Sequence, residues 1–303
     1  MSVQTRDLAI EADAPIRTWF GVGGRADRLA HPSDVDELST CIQMEPNLRI
    51  LGDGANLLVD DAGVEELVVA LDRPALKRIR IDPDSGRALA MAGASLQRLV
   101  SLCARAGLGG LEGLVGIPAT LGGAVVMNAG GAFGQIADRL VCVDGLDRDG
   151  RRVQIQRDRI DFGYRRSGLG DLIVTAAEFH LEPGDPGVLR ERLKTTMAYK
   201  KRSQPMAERS CGCVFRNPTL DRTIDGIGRA DRRVSAGLLI DRAGCKGLSI
   251  GGVCVSDRHA NFFVTSPGAR AGDVLALIDA VRGRVFGAFG VELETEVVVW
   301  RRR

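Results

Sequence analysis

The sequence predicts an α+β protein of two domains, on three observations. Its 303 residues are about twice the 150 or so that one domain ordinarily takes, enough for a large buried core. Short apolar runs of strand length alternate with amphipathic helical segments through the first half, with no internal repeat. A polar helical segment rich in Lys and Arg, opened by Pro183-Gly184-Asp185-Pro186 and running to about Arg202, then bridges into a C-terminal unit with its own strands and helix.

In chain order, Pro32 and Ser33 precede a helix with Val35, Leu38, Cys41 and Ile42 on one face, and Ser33 with Asp36 fits a capping box. Residues 48–51 and 57–59 flank the turn GDGAN as strands, and 66–71 read as another. Ser95 starts a second helix, with Leu96, Leu99, Val100 and Cys103 at helical spacing, and Gly107 stops it. Residues 140–155 read as a hairpin turning at Asp149-Gly150, and 171–183 as a further strand. In the C-terminal unit, 251–264 form a hairpin. Asp273 begins a helix that buries Val274, Leu277, Ile278, Val281 and Val285, and 292–300 form a last strand.

The charges nearly cancel, 41 basic against 39 acidic, so neither nucleic acid nor an anionic membrane is indicated as a partner. Seven cysteines without a C-x-x-C pair and three scattered histidines indicate neither a disulfide framework nor a metal site, and a reducing compartment is expected. The opening MSVQTRDLAIEADAPIR carries acids where a signal peptide has its apolar stretch, which points away from secretion.

The outlier is glycine, 38 residues, nearly twice the usual share of about 7%. Residues 113–137 carry no charge and are long enough to span a bilayer, but their glycines, Pro118 and Asn128 make a poor lone helix; backbone packed closely against something else is the better account. GVGGRA (21–26) matches a dinucleotide pattern, yet a proline follows too soon for the helix that must meet the pyrophosphate. No Walker loop and no G-x-S-x-G elbow occurs, which disfavours P-loop phosphoryl transfer and α/β-hydrolase catalysis. GDGANLL (52–58) and GLVGIPATLGGAVVMNAGG (113–131) remain. Loops with so little side-chain bulk let consecutive N–H groups face a phosphate, and together they suggest a dinucleotide cradle.

TWFGVGGRAD (18–27), LGDGANLLV (51–59), GLEGLVGIPATLGGAVVMNAGG (110–131), YRRS (164–167), QPMAERSCGCVFRNP (204–218), SAGLLIDRAGCKG (235–247), GGVCVSDRHANFFV (251–264) and LETEV (293–297) together resemble the UDP-N-acetylenolpyruvoylglucosamine reductase (MurB) family nearly end to end. The resemblance implies an FAD-binding fold of the vanillyl-alcohol-oxidase type with a separate C-terminal α+β substrate-binding domain. It divides the chain into an FAD-binding region at 1–202, with subdomains of about 1–72 and 73–202, and a substrate domain at 203–290; the strand within 291–303 joins the first subdomain. It implies the shorter family type, without the extra substrate loop, acting as a monomer in the bacterial cytoplasm. NADPH reduces non-covalent FAD, and the reduced flavin converts the enolpyruvyl ether of UDP-N-acetylglucosamine to UDP-N-acetylmuramate for peptidoglycan. Two other readings, a flavin oxidase of the same superfamily and a non-catalytic FAD-binding protein, are kept as alternatives; the filled catalytic positions argue against the second.

By the same resemblance FAD is held by Gly52, Asp53, Gly54, Ala55, Asn56 and Leu57 in the first loop and by Gly116, Ile117, Pro118, Ala119, Thr120, Gly122 and Gly123 in the second. Reduction of an enol ether leaves negative charge on a carbon and its carboxylate, and calls for a cation, a polarising group and an acid. The motifs assign the cation to Arg165 and the carboxyl to Glu296. Cys213 stands where many members have serine, and a thiol, which ordinarily titrates near pH 8.5 (about), is far the stronger acid. Tyr164 and Asn217 are expected to contact substrate or, for Tyr164, to orient Arg165. His259 and Cys211 are expected to have no chemical part. Lys200, Lys201 or Arg202 is left to serve the diphosphate, because no lysine directly precedes Gln204-Pro205.

Overall fold

The structure, a computed structural model, describes residues 8–302. By internal contacts the chain forms two compact units: one of residues up to Ala14, Ala26–Asp53 and Glu65–Tyr199, the other of Pro15–Arg25, Gly54–Val64 and the chain from Lys200 onward.

The first unit is built on a five-stranded antiparallel sheet in the order Arg152–Gln156, Leu140–Leu146, Ile173–His180, Arg87–Met91, Ile79–Asp82. The expected hairpin is its first pair, with Leu146 opposite Arg152. Asp147 shapes the connection, its Oδ1 accepting from the Asp149 and Arg151 amides. A second sheet orders Ile10–Pro15, Arg25–Ala30, Val68–Ala70 and Arg49–Leu51, the last three strands parallel. Its first two strands escape sequence reading because IEADAP is mostly exposed, RADRLA half exposed, and neither shows a clean two-residue alternation.

Helix Val35–Met44 buries Leu38, Cys41 and Ile42 as its spacing predicts, but its cap lies one residue beyond the expected Ser33 and Asp36. The Asp34 carboxylate accepts from the Asp36 and Glu37 amides, and Glu37 reaches back to the Ser33 amide at 2.7 Å. A carboxylate serves the positive end of the helix as both hydrogen-bond acceptor and counter-charge. Helix Leu96–Arg105 starts at Ser95, whose hydroxyl accepts from the Arg98 amide, and Gly107 at φ +74° follows it. The uncharged glycine stretch is no continuous helix: it holds a 3-10 turn at Glu112–Leu114 and a six-residue helix at Leu121–Val126. Among the described residues, no helix is long and apolar enough to cross a membrane.

In the second unit, Leu57–Val59 pairs in parallel with Val298–Trp300, and Ser249–Ile250, Val253–Val255 and Phe263–Thr265 form an antiparallel sheet. The expected hairpin thus gains a third, short strand. Helix Ala271–Phe289 begins two residues before Asp273, whose carboxylate accepts from the Arg270 amide at 3.0 Å. Asp61 accepts from the Ala271 and Gly272 amides at 2.9 Å each, so a second anion closes that helix start.

The strand pair Leu57–Val59 and Val298–Trp300 lies within the second unit. Val291, Leu293 and Val297 bury with Val274, Leu277 and Val281, and Phe20 and Leu58 enter the same core. Segments this short cannot build a core of their own and are stable only where a larger one accepts them. Phe215 and Phe263, both fully buried, meet edge to face at 6.0 Å between ring centroids. Phe263→Ala is expected to cost about 3–5 kcal/mol, read as a fall in the urea midpoint; an unchanged midpoint would contradict the described packing.

Candidate active site

The two glycine loops meet in the first unit at Gly52, where an added Cβ would stand 2.6 Å from Thr120 Oγ1. The chain leaves that unit between Asp53 and Gly54. Gly54 is obligatory: at φ +64°, its Cβ would lie 2.2 Å from the Arg17 carbonyl oxygen. Among the described residues, the backbone N–H groups of Gly52, Gly54, Ala55 and Asn56 make no hydrogen bond to a protein acceptor. Thr120 caps helix Leu121–Val126, its hydroxyl accepting from the Gly123 amide. Only that hydroxyl lies within 4 Å of a Cβ built at Gly123, and nothing does at Gly131. Within the first unit, Gly52 leaves its amide uncommitted and Gly131 leaves open space, features that suit a phosphate ligand.

Not every glycine-loop residue faces that space. The Gly122 amide is committed to the Ala92 carbonyl, and its missing Cβ lets the helix approach Ala92. Gly116 is buried, Ile117, Pro118 and Ala119 are half-buried, and Leu57 is a buried strand residue.

Tyr164 and Arg165 are the central residues of a tight turn closed by Gly163 and Arg166, which exchange backbone hydrogen bonds of 3.0 and 3.3 Å. Arg165 has φ +56°, at a position that ordinarily asks for glycine or asparagine, a strain of about 1–3 kcal/mol. Its guanidinium donates to the Gly130 carbonyl at 2.9 Å and lies 5.3 Å from the Tyr164 ring centre. The neighbouring Arg166 points elsewhere, exposed and paired with Asp161 at 2.8 Å. The strain falls on Arg165 and not on Arg166.

The segments that carry Cys213 and Glu296 pair in the second unit. The segment 213–216 runs between two others: Cys213 bridges Phe262 and Phe215 bridges Thr295. The Glu296 amide donates to the Val214 carbonyl at 2.7 Å. Both side chains are half-buried, whereas Glu292 and Glu294 are exposed, which separates the three carboxyls that period-two reasoning could not. Asn56 from the glycine loop donates through Nδ2 to the Glu296 carbonyl at 3.1 Å and accepts at its own carbonyl from the Val298 amide at 3.0 Å. Its side chain therefore serves the Glu296 strand.

Cys211 makes a link that sequence reading missed. Its buried thiol donates to the Leu57 carbonyl at 3.3 Å, tying the Cys213 segment to the loop, and burial pushes it up to about 12. Asn261 was also missed. Only 1% exposed, it accepts from the Phe215 amide at 2.9 Å and donates to the Phe215 carbonyl at 2.8 Å, replacing a strand partner with a side chain. The signal was an amide inside the apolar run HANFFV, which must find backbone partners if buried. His259 Nδ1 accepts from the Asn261 amide at 3.2 Å, and burial lowers its pKa, favouring the neutral ring. Asn217 accepts from the Ala236 amide at 2.9 Å and so braces helix Ala236–Arg242. Of the three candidate cations, Lys201 and Arg202 are exposed while Lys200 is buried, which lowers it to about 8.

The family model of the UDP-N-acetylenolpyruvoylglucosamine reductase C-terminal domain matches residues 204–300, and that of an FAD binding domain matches residues 26–156. The UDP-N-acetylenolpyruvoylglucosamine reductase of Synechococcus sp. (strain WH7803) is 40% identical over 294 residues, 94% of this chain and 90% of its own. That of Heliobacterium modesticaldum is 41% identical over 288 residues, 93% of this chain and 87% of its own. The crystal structure of UDP-N-acetylenolpyruvylglucosamine reductase from Thermus caldophilus superposes with a TM-score of 0.78 at 37% identity, over 97% of this chain and 98% of that one.

Cys213 and Cys254 are half-buried and the other five cysteines buried. Iodoacetamide at mildly alkaline pH is therefore expected to label Cys213 and Cys254 first, read by peptide mass spectrometry. Labelling of Cys211 as fast as Cys213 would contradict this arrangement.

Proposed function

Because the chain belongs to the UDP-N-acetylenolpyruvoylglucosamine reductase family, we propose that it reduces the enolpyruvyl ether of UDP-N-acetylglucosamine to UDP-N-acetylmuramate, with NADPH as electron source and Arg165, Cys213 and Glu296 as its catalytic residues. Bound FAD supplies the two-electron relay between NADPH and the enolpyruvyl double bond. The observation that carries the residue assignment is the pairing of the Cys213 and Glu296 segments, with Asn56 fastening Glu296 to the glycine loop.

Negative charge develops on the carbon bearing the carboxylate once the terminal vinyl carbon is reduced. The Arg165 guanidinium, planar and permanently charged, pairs with that carboxylate and its enolate form. Cys213 gives its thiol proton to the carbon, closing the addition across the double bond, and recovers a proton from solvent. Glu296 holds the enolic oxygens together with Arg165. Tyr164, stacked beside Arg165, limits the guanidinium's freedom. Gly52 offers the pyrophosphate its backbone amide, and the cation for the substrate diphosphate is left among Lys200, Lys201 and Arg202. The chain acts as a monomer in the cytoplasm, a setting that suits seven cysteines that form no disulfide among the described residues.

Purified protein is expected to be yellow and to oxidise NADPH when the enolpyruvyl sugar nucleotide is supplied; colourless, inert protein after FAD reconstitution would overturn the proposal. Cys213→Ala is expected to leave flavin reduction by NADPH nearly intact and to slow reoxidation by substrate about 10²–10⁴-fold, while Cys213→Ser keeps much of the activity. Equal losses in both half-reactions would remove the proton-donor role. Arg165→Ala and Glu296→Ala are each expected to lower kcat by about 10²-fold or more, and a normal kcat in either takes that residue out of the site.

A further inference from the structure

The glycine stretch ends in a side chain that the proposed mechanism does not use. Asn128 is 2% exposed and has φ +42°. Its Nδ2 donates to the Gly163 carbonyl at 2.9 Å and to Gln135 Oε1 at 3.0 Å, and its Oδ1 accepts from the Ala137 amide at 3.3 Å. The Gly163 carbonyl is the one that receives the Arg166 amide at 3.3 Å and closes the turn carrying Arg165. Two residues beyond Asn128, the Gly130 carbonyl accepts from the Arg165 guanidinium. The 128–130 segment thus grips the turn at its backbone and at the tip of its functional side chain.

Asparagine suits the position on two counts. It tolerates the left-handed region better than most residues, and its amide offers two donors and an acceptor in one plane. Aspartate would keep the acceptor for Ala137 but set a carboxylate oxygen against the carbonyl oxygens of Gly163 and Gln135. Glycine would keep the backbone and lose all three bonds. The turn it holds is strained at Arg165, and a strained conformer persists only where its surroundings fix it.

We propose that Asn128 is the positioning residue for Arg165: its amide fixes the Gly163–Arg166 turn so that the guanidinium is presented in one orientation to the negative charge developing on the substrate. This rests on the assignment of Arg165 to that charge. The test is a double-mutant cycle on the FAD-loaded enzyme with Asn128→Gly, Arg165→Ala and both together, reading bound FAD by absorbance, and kcat and KM for the enolpyruvyl substrate.

Asn128→Gly is expected to retain FAD and to lose about tenfold or more in kcat, and the double variant to stay within about threefold of Arg165→Ala. A residue that only supported the fold would add its loss to that of Arg165→Ala. A near-normal kcat in Asn128→Gly, or a double loss approaching the product of the single losses, overturns the proposal. If Asn128→Gly does not hold FAD, Asn128→Asp takes its place in the cycle, and loss of FAD from both overturns the positioning role. Normal activity in Arg165→Ala would instead sink the Arg165 assignment and this proposal with it, whereas a large loss there beside a normal Asn128→Gly sinks the positioning role alone.

Discussion

Irregular backbone inside a protein must still satisfy its N–H and C=O groups, and that requirement governs how the segments carrying the three proposed catalytic residues are held. Arg165, Cys213 and Glu296 lie on a turn and on short extended segments outside the main sheets, where few ladder partners exist. Side-chain amides supply what is missing. Asn128 takes the Gly163 carbonyl, Asn261 takes both polar groups of Phe215, and Asn56 takes the Glu296 carbonyl. Each is one hydrogen bond or two, worth about 1 kcal/mol apiece in net stability. Losing a partner would strand a backbone group beside a proposed catalytic residue, so the consequence for geometry exceeds the consequence for stability.

The glycines divide by use in the same way. Some serve packing: Gly122 against Ala92, and Gly54 against the Arg17 carbonyl. Others, such as Gly123 and Gly131, leave open space. A glycine count from sequence cannot separate the two uses, because both ask only for a missing Cβ.

The helices were legible because apolar spacing and a capping residue are local: the 95–105 helix follows its sequence reading from cap to stop, and the 35–44 helix differs only in the capping residue. Strands 10–15 and 25–30 were not legible, since neither shows a clean two-residue alternation of apolar and polar residues. The domain seam was read from composition, but membership of a core is a property of packing, so Phe20 and Leu58 could not be assigned to the C-terminal unit in advance. At the site, motif order singled out Arg165, Cys213 and Glu296. The bracing by Asn128, Asn261 and Cys211 depends on contacts 35, 46 and 154 residues apart in the chain, which no short motif records.

The discontinuity of the second unit bears on how the protein is made. Phe20 and Leu58 leave the ribosome well before the partners from Cys211 onward that bury them, and Leu57–Val59 waits for Val298–Trp300 before it has a neighbour. Nascent chains of this kind hold apolar side chains and a bare strand edge exposed for most of synthesis, a hazard for aggregation. The segment carrying Glu296 is fastened only after Val298–Trp300 has been made, so a product terminated before it lacks the paired strand and is expected to depend on chaperones or be cleared by proteolysis.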